Sequence, residues 1–257
     1  MSAQEIVRLM NEEEQTVIRA LQAAEGGLAQ AAEKAAEAFR GGHRVIYVGA
    51  GTSGRIATMD AAEMPPTFGI EADRFIALHA GGAQAQSQAI EDAEDSEVAA
   101  IQDLNEAAAA RGDVVIGLAA SGRTPYVLGA IRHAKQKGIW TCGIANNPHS
   151  PLLSEADLGV LLETGPEVLT GSTRLKAGTA QKLALNRIST AAMVLSGKVI
   201  ENLMVDVKAK NHKLKERCVR IVRDLTTATE DEARQVLASN GWSVRQALDH
   251  LKATAGR

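Results

Sequence analysis

Residues 47–69 read YVGAGTSGRIATMDAAEMPPTFG. They continue a short apolar run, Val45–Val48, into a turn rich in glycine and hydroxyls and then into a helical stretch. Strand, tight turn and helix in that order open a βαβ unit. Gly49, Gly51 and Gly54 satisfy G-x-G-x-x-G, which in isolation is a dinucleotide fingerprint. The context argues against it. A dinucleotide fold needs an acid at the end of the next strand to hold a ribose. The next apolar run, 75–79, ends in His79-Ala80-Gly81-Gly82, whereas Glu71 and Asp73 precede it. A small phosphate suits the turn better. Amide N–H groups at a helix N-terminus face an anion and the helix dipole assists, and Thr52 and Ser53 add hydroxyls. Ser and Thr serving only as helix caps is the competing reading.

Outward from this stretch the pattern alternates. Apolar runs at 45–48, 75–79, 114–118, 139–144 and 158–162 predict strands, and 54–63, 84–91, 97–110, 124–137 and 172–200 predict helices. Apolar runs separated by helices argue for a parallel sheet covered on both faces, with ligands bound at the carboxyl ends of the strands. Residues 4–40 predict two helices broken at Gly26-Gly27. Past residue 200 no strand is predicted: 206–222 reads as a charged helix, and Thr229–Ala255 as a small helical unit split near Gly241. A second loop, AASGRTP at 119–125, resembles the first in chemistry. Ser121, Gly122, Arg123 and Thr124 would grip a phosphorylated sugar from the other side.

Composition narrows the partners. Hydrophobic residues make up 45% of the 257, enough for one large α/β domain with a small appendage. Aromatics are only 3%, too few for base-stacking platforms, and a net charge of -3 gives no pull toward nucleic acid. Cys142 and Cys218 have no metal-ligand spacing and fit a reducing compartment. No long apolar span is present, and the first residues are rich in glutamate. The expectation is a cytoplasmic protein with no membrane partner.

The acids carry the chemistry. Glu63 precedes Met64-Pro65-Pro66. The prolines are expected to stop the helix there, leaving Glu63 either a partly buried general acid or a surface acid at the helix end. Glu91, Asp92, Glu94, Asp95 and Glu97 form an acid run, most of it solvated. One strand lies between Glu63 and Glu94, a spacing that can bring both to one sheet edge. Arg174 and Lys176 sit in the first turns of a predicted helix, against its dipole. This hints at an anionic ligand or a tight helix–helix contact.

GAGTSGRIATMDAAEMPPTFG (49–69), HAGG (79–82), EDAEDSE (91–97), GLAASGRTPYVLGA (117–130), GIANNPHSPL (143–152), GPEVLTGSTRLKAGTAQKLALNRIST (165–190) and SGKVIENLMVDVKAKNHKL (196–214) resemble the signature stretches of N-acetylmuramic acid 6-phosphate etherases, within the sugar isomerase (SIS) superfamily. The resemblance implies a three-layer α/β/α SIS domain with a parallel central sheet over 41–205, N-terminal helices over 1–40 and a small C-terminal helical region over 206–257. It implies a homodimer that acts on a phosphorylated amino sugar without metal or cofactor. Etherases remove D-lactate from N-acetylmuramic acid 6-phosphate and leave N-acetylglucosamine 6-phosphate. By motif position, Glu63 would protonate the departing lactate oxygen and Glu94 would take the C2 proton. Thr52, Ser53, Gly54, Ser121, Gly122, Arg123 and Thr124 would bind substrate. Glu167 stands where SIS sugar isomerases often keep a site carboxylate. Met64 departs from the cysteine of the family's CPP motif, and family members usually carry a further stretch ahead of the segment matching Ile6–Val17. The competing reading is a SIS isomerase, or a binder such as the animal glucokinase regulatory protein. A binder would be expected to lose one of the two acids.

Overall fold

A computed structural model describes residues 1–88, 90, 92–206, 209 and 211–255. The chain forms two compact units, residues 1–62 with 73–192, and residues 63–72 with 193–257.

In the first unit, α1 (Ala3–Ala23) opens on a capping box: the Glu5 amide donates to Ser2 Oγ at 3.2 Å, and the Ser2 amide to Glu5 Oε2 at 2.6 Å. α2 (Glu25–Arg40) follows after a break at Ala24. The expected break at Gly26-Gly27 is thus displaced into the first turn of α2. The reason is packing: a Cβ on Gly27 would lie 3.2 Å from Val160 Cγ2, so this glycine permits close approach.

Five strands make the sheet: β1 (Val45–Gly49), β2 (Phe75–His79), β3 (Val114–Leu118), β4 (Trp140–Ala145) and β5 (Leu158–Leu161). All pair in parallel in the order β2-β1-β3-β4-β5. Gly49 stands level with both His79 and Leu118, so the loops after β1, β2 and β3 leave from one edge. The strand order reverses between β1 and β3, the switch point where open α/β sheets bind ligands. β1 and β3 are buried throughout, which is why they read as plain apolar runs.

Strand alternation assigns the two faces. Ile46, Val48 and Val115 pack with Leu104 of α4 (Glu97–Glu106) and with Tyr126 and Ile131 of α5 (Pro125–Gln136). On the other face Tyr47 meets Phe75 edge-on, ring centroids 6.1 Å apart. There the Tyr47 hydroxyl donates to Asp60 Oδ2 (3.0 Å), while Asn186 (2.8 Å) and Ser189 (3.2 Å) donate to Asp60 Oδ1. Asp60 belongs to α3 (Gly51–Phe68), and Asn186 and Ser189 to α7 (Lys176–Leu195), which follows the short α6 (Pro151–Glu155). The result is the three-layer α/β/α arrangement expected. Burial pushes the Asp60 carboxyl up, and the three hydrogen bonds pull against that shift.

Three expectations need correction. The stretch 84–91 is no α-helix: Gly82–Gln86 forms a 3₁₀ turn, and Ala89 and Glu91 lie outside the described residues. α3 does not stop before the prolines but includes Pro65 and Pro66. A proline lacks only its own N–H, so the carbonyls of Ala61 and Ala62 lose their donors while the helix carries on to the Gly69 amide, which donates to Pro65 O at 2.9 Å. In the second unit a hairpin appears where no strand was expected, β6 (Val199–Ile200) against β7 (Leu203–Met204). Two-residue strands are too short to show a period. The rest of that unit is helical: α8 (His212–Leu225), α9 (Glu230–Ser239) and α10 (Val244–Ala255) close over Cys218, Val222, Leu237, Val244 and Leu248. Among the described residues no helix is long and apolar enough to cross a membrane.

Candidate active site

The loop after β1 owes its glycines to crowding. A Cβ on Gly49 would lie 2.8 Å from the Gly54 amide, and one on Gly54 would lie 2.2 Å from His79 Cδ2. Gly51 takes φ +51°, a left-handed conformation at the start of α3. Two of the three fingerprint glycines therefore serve the β1–α3–β2 packing. Ser53 is buried, and its hydroxyl donates to Gln181 Oε1 at 2.7 Å. Gln181 Nε2 donates to Asn146 Oδ1 (3.0 Å), and Asn146 Nδ2 to Leu162 O (2.9 Å). This chain ties the loops after β1, β4 and β5 together through α7. Thr52 is half-buried, and a Cβ on Gly178 would lie 3.3 Å from its methyl.

In the loop after β3, Ser121 and Arg123 are exposed, and Ser121 Oγ accepts from the Arg123 amide at 3.2 Å. Gly122 has φ +63°, and a Cβ there would lie 2.2 Å from Ser150 Oγ. Thr124 is the N-cap residue of α5, but its side chain makes no capping bond. The simple capping account therefore fails for Thr124.

Ser121 lines a cavity of about 410 Å³ with Asn146, Asn147, Thr164, Glu167 and Thr173. Both carboxylate oxygens of Glu167 are engaged: Oε2 accepts from the Lys176 amide and Oε1 from the Ala177 amide, each at 3.0 Å. Glu167 thus caps α7 and frames this cavity. Lys176 resolves the conflict seen in the sequence. It is buried, and its Nζ donates to Glu13 Oε2 of α1 at 2.6 Å, so the contact between helices is the reading the structure supports.

A second cavity, of about 260 Å³, opens between the β1 and β2 loops and is lined by Gly51, Arg55, His79, Asp92 and Glu94, among others. Arg55 braces its wall, donating to Gln86 O (3.1 Å) and Gln88 O (2.9 Å). Glu94 is exposed, in the 3₁₀ turn Ala93–Asp95. Asp92 before it takes φ +65°, a strained conformation for a residue with a side chain. His79 is buried, and among the described residues neither ring nitrogen has a partner at hydrogen-bonding geometry. Burial, then the Arg55 charge, hold its imidazole below the usual pKa, partly offset by the Gly51 backbone. Glu63 belongs to the second unit and is exposed. Of the two readings of Glu63, the structure gives the surface acid, on a helix that continues through the prolines.

Among the described residues no group of acids, histidines and cysteines is arranged to hold a metal. Sequence reasoning missed Gln181, Asn146 and Ser150. The only available signal was a lone amide or hydroxyl in apolar surroundings, which does not disclose its partner.

Two family profiles match. One, described as glucokinase regulatory protein N-terminal SIS domain, covers residues 27–135, and one, described as SIS domain, covers residues 96–190. An N-acetylmuramic acid 6-phosphate etherase of Geobacillus sp. (strain WCH70) is 49% identical over 248 residues, 96% of this chain and 84% of that protein. The one of Pectobacterium atrosepticum is 48% identical over 256 residues, the whole of this chain and 84% of its own length. Among solved structures, a putative phosphosugar isomerase involved in capsule formation from Bacteroides fragilis superposes with a TM-score of 0.57 at 23% identity, covering 77% of this chain and 93% of that one. Phosphoheptose isomerase from Neisseria gonorrhoeae gives 0.56 at 21%, covering 74% and 99%. These two bear on the fold alone.

Proposed function

The chain belongs to the N-acetylmuramic acid 6-phosphate etherase family, and from that premise we propose how its residues divide the work. The protein is a carbon–oxygen lyase that cleaves the lactyl ether of N-acetylmuramic acid 6-phosphate, releasing D-lactate and N-acetylglucosamine 6-phosphate. The observation that carries this is near-50% identity along almost the whole chain.

In the open-chain sugar the C1 aldehyde acidifies the C2 proton. Glu94, at the mouth of the cavity beside β2, takes that proton as a carboxylate. The electron pair moves toward the C1 oxygen and returns to expel the C3 ether oxygen, which leaves protonated. We assign that proton to Glu63. Water then adds to C3 of the unsaturated aldehyde and C2 regains a proton. The two carboxyl groups work in opposite protonation states. Thr52, Ser53 and Gly54 of the first loop, with Ser121, Gly122, Arg123 and Thr124 of the second, are assigned to the phosphorylated substrate. The hydroxyl of Ser53 reaches it by exchanging its bond to Gln181. Glu167 keeps its cavity open by capping α7. Neither cysteine competes as a nucleophile: both are buried, and burial pushes the Cys142 thiol up to about 12 and raises that of Cys218 as well. The working form we assign is a cytoplasmic homodimer.

Purified protein supplied with N-acetylmuramic acid 6-phosphate alone is expected to release D-lactate, detected by a coupled lactate assay. Glu94→Gln is expected to remove the release while leaving sugar-phosphate binding intact. Tight binding of the sugar phosphate by the wild-type protein with no lactate above blank would sink the lyase reading and favour a non-catalytic binder.

A further inference from the structure

We propose that His79 is a catalytic residue of the elimination, its imidazole N–H donating a hydrogen bond to the C1 oxygen as Glu94 takes the C2 proton. This rests on the etherase reading above.

The geometry points there. His79 ends β2 at the ligand edge of the sheet and lines the same cavity as Glu94. It is only 4% exposed, and among the described residues neither Nδ1 nor Nε2 has a partner at hydrogen-bonding geometry, the Gly51 backbone standing close enough only to favour the protonated ring. Buried polar groups are nearly always paired, and one that is not calls for an explanation. The packing around the ring shows that its place is well defined. Gly54 is kept bare, since a Cβ there would strike the ring at Cδ2. The backbone of the first loop thus comes down onto the imidazole and holds it in place. A ring fixed in that way, in a cavity that Glu94 also lines, is pre-organised for a polar atom that arrives with the substrate.

The electronic state fits the task. Burial and the neighbouring Arg55 favour the neutral ring, which carries one N–H donor and one acceptor. Glu94 and Asp92 line the cavity as the facing acids. When the C2–H bond breaks, its proton goes to Glu94 and its electron pair forms the C1–C2 double bond of an enolate, leaving negative charge on the C1 oxygen. The N–H of His79 stabilises that charge without giving up its proton. The enolate then reforms the carbonyl, its C1–C2 pair forms the C2–C3 double bond, the C3–O bond breaks with its electron pair leaving on oxygen, and that oxygen takes its proton from the assigned acid. No oxidant or further reactant is needed.

The test compares His79→Gln, which keeps an N–H donor, with His79→Met, which has similar length and no donor. Exchange of the C2 proton in D2O and lactate release are followed separately, with circular dichroism to check folding. Met is expected to lower kcat for both by about a hundredfold, with KM changed little, and Gln to recover part of the loss. Equal rates for Met and Gln, or a loss confined to KM, would overturn the inference while lactate release by the wild type still upheld the etherase. A wild-type protein that releases no lactate would remove the etherase reading, and this one with it.

Discussion

At Gly54 a single methyl group separates a working loop from a broken one. The nearest atom to an added Cβ, at 2.2 Å, belongs to the ring of a buried histidine rather than to a flexible chain end. Something must shift, and either the α3 turn or His79 will move. Gly54→Ala is therefore expected to lose about 1–3 kcal/mol of stability in urea titration and most of the lactate release, whereas a Cβ on Gly51 meets open space, so Gly51→Ala should strain the turn through its φ of +51° without a clash against the His79 ring. An equally active Gly54→Ala protein would show that the ring position is immaterial. Much of this loop was visible from the residues alone. The turn, its hydroxyls and the missing ribose acid could all be read there. That Gly54 faces a histidine from the neighbouring strand could not, because the pairing of β1 with β2 brings them together.

At the scale of elements, α7 shows how tertiary contacts change the meaning of a residue. A lysine in a helix's first turn opposes the dipole. Lys176 is tolerated because Glu13 of α1 meets it, and because the Glu167 carboxylate spreads negative charge over the amides of the same turn. Removing the acid leaves the buried lysine uncompensated, but Glu13 is itself 40% exposed, so Glu13→Ala is expected to cost about 1–3 kcal/mol. Replacing both partners, Glu13→Leu with Lys176→Met, should cost much less. Thermal or urea unfolding of the single and double variants checks this, and an equal loss in both would contradict the account. The sequence pattern had left two readings of Lys176 open, an anionic ligand or a helix–helix contact. The partner lies far away in the chain, so no local pattern could decide between them.

For the molecule as a whole, the carboxylates set the acid response. In the first unit burial raises the Asp113 carboxyl, but hydrogen bonds from Arg44, at 2.7 Å to Oδ2, outweigh it and hold the group below its ordinary value. In the second unit Arg245 and Lys198 do the same for Asp206 against its burial. A carboxylate with a depressed folded pKa is protonated first in the unfolded chain. Its contribution is complete above the ordinary carboxylate range and lost as pH falls through the folded value. The urea midpoint should therefore drop steadily from about pH 5 to about pH 3, less steeply in Asp113→Asn. Asp60, raised by burial, acts in the opposite sense and softens the fall. A midpoint flat over that range would refute the assignment. The amino-acid sequence by itself determined the five strands almost to the residue, since parallel strands covered on both faces need unbroken apolar runs. It also determined the family, through long motifs. Only the tertiary structure decided the strand order, the engagement of Ser53 with Gln181 and of Glu167 with α7, and the burial of His79 beneath Gly54. Those depend on which distant groups meet, and a hydrogen bond is decided by position in space rather than by position along the chain.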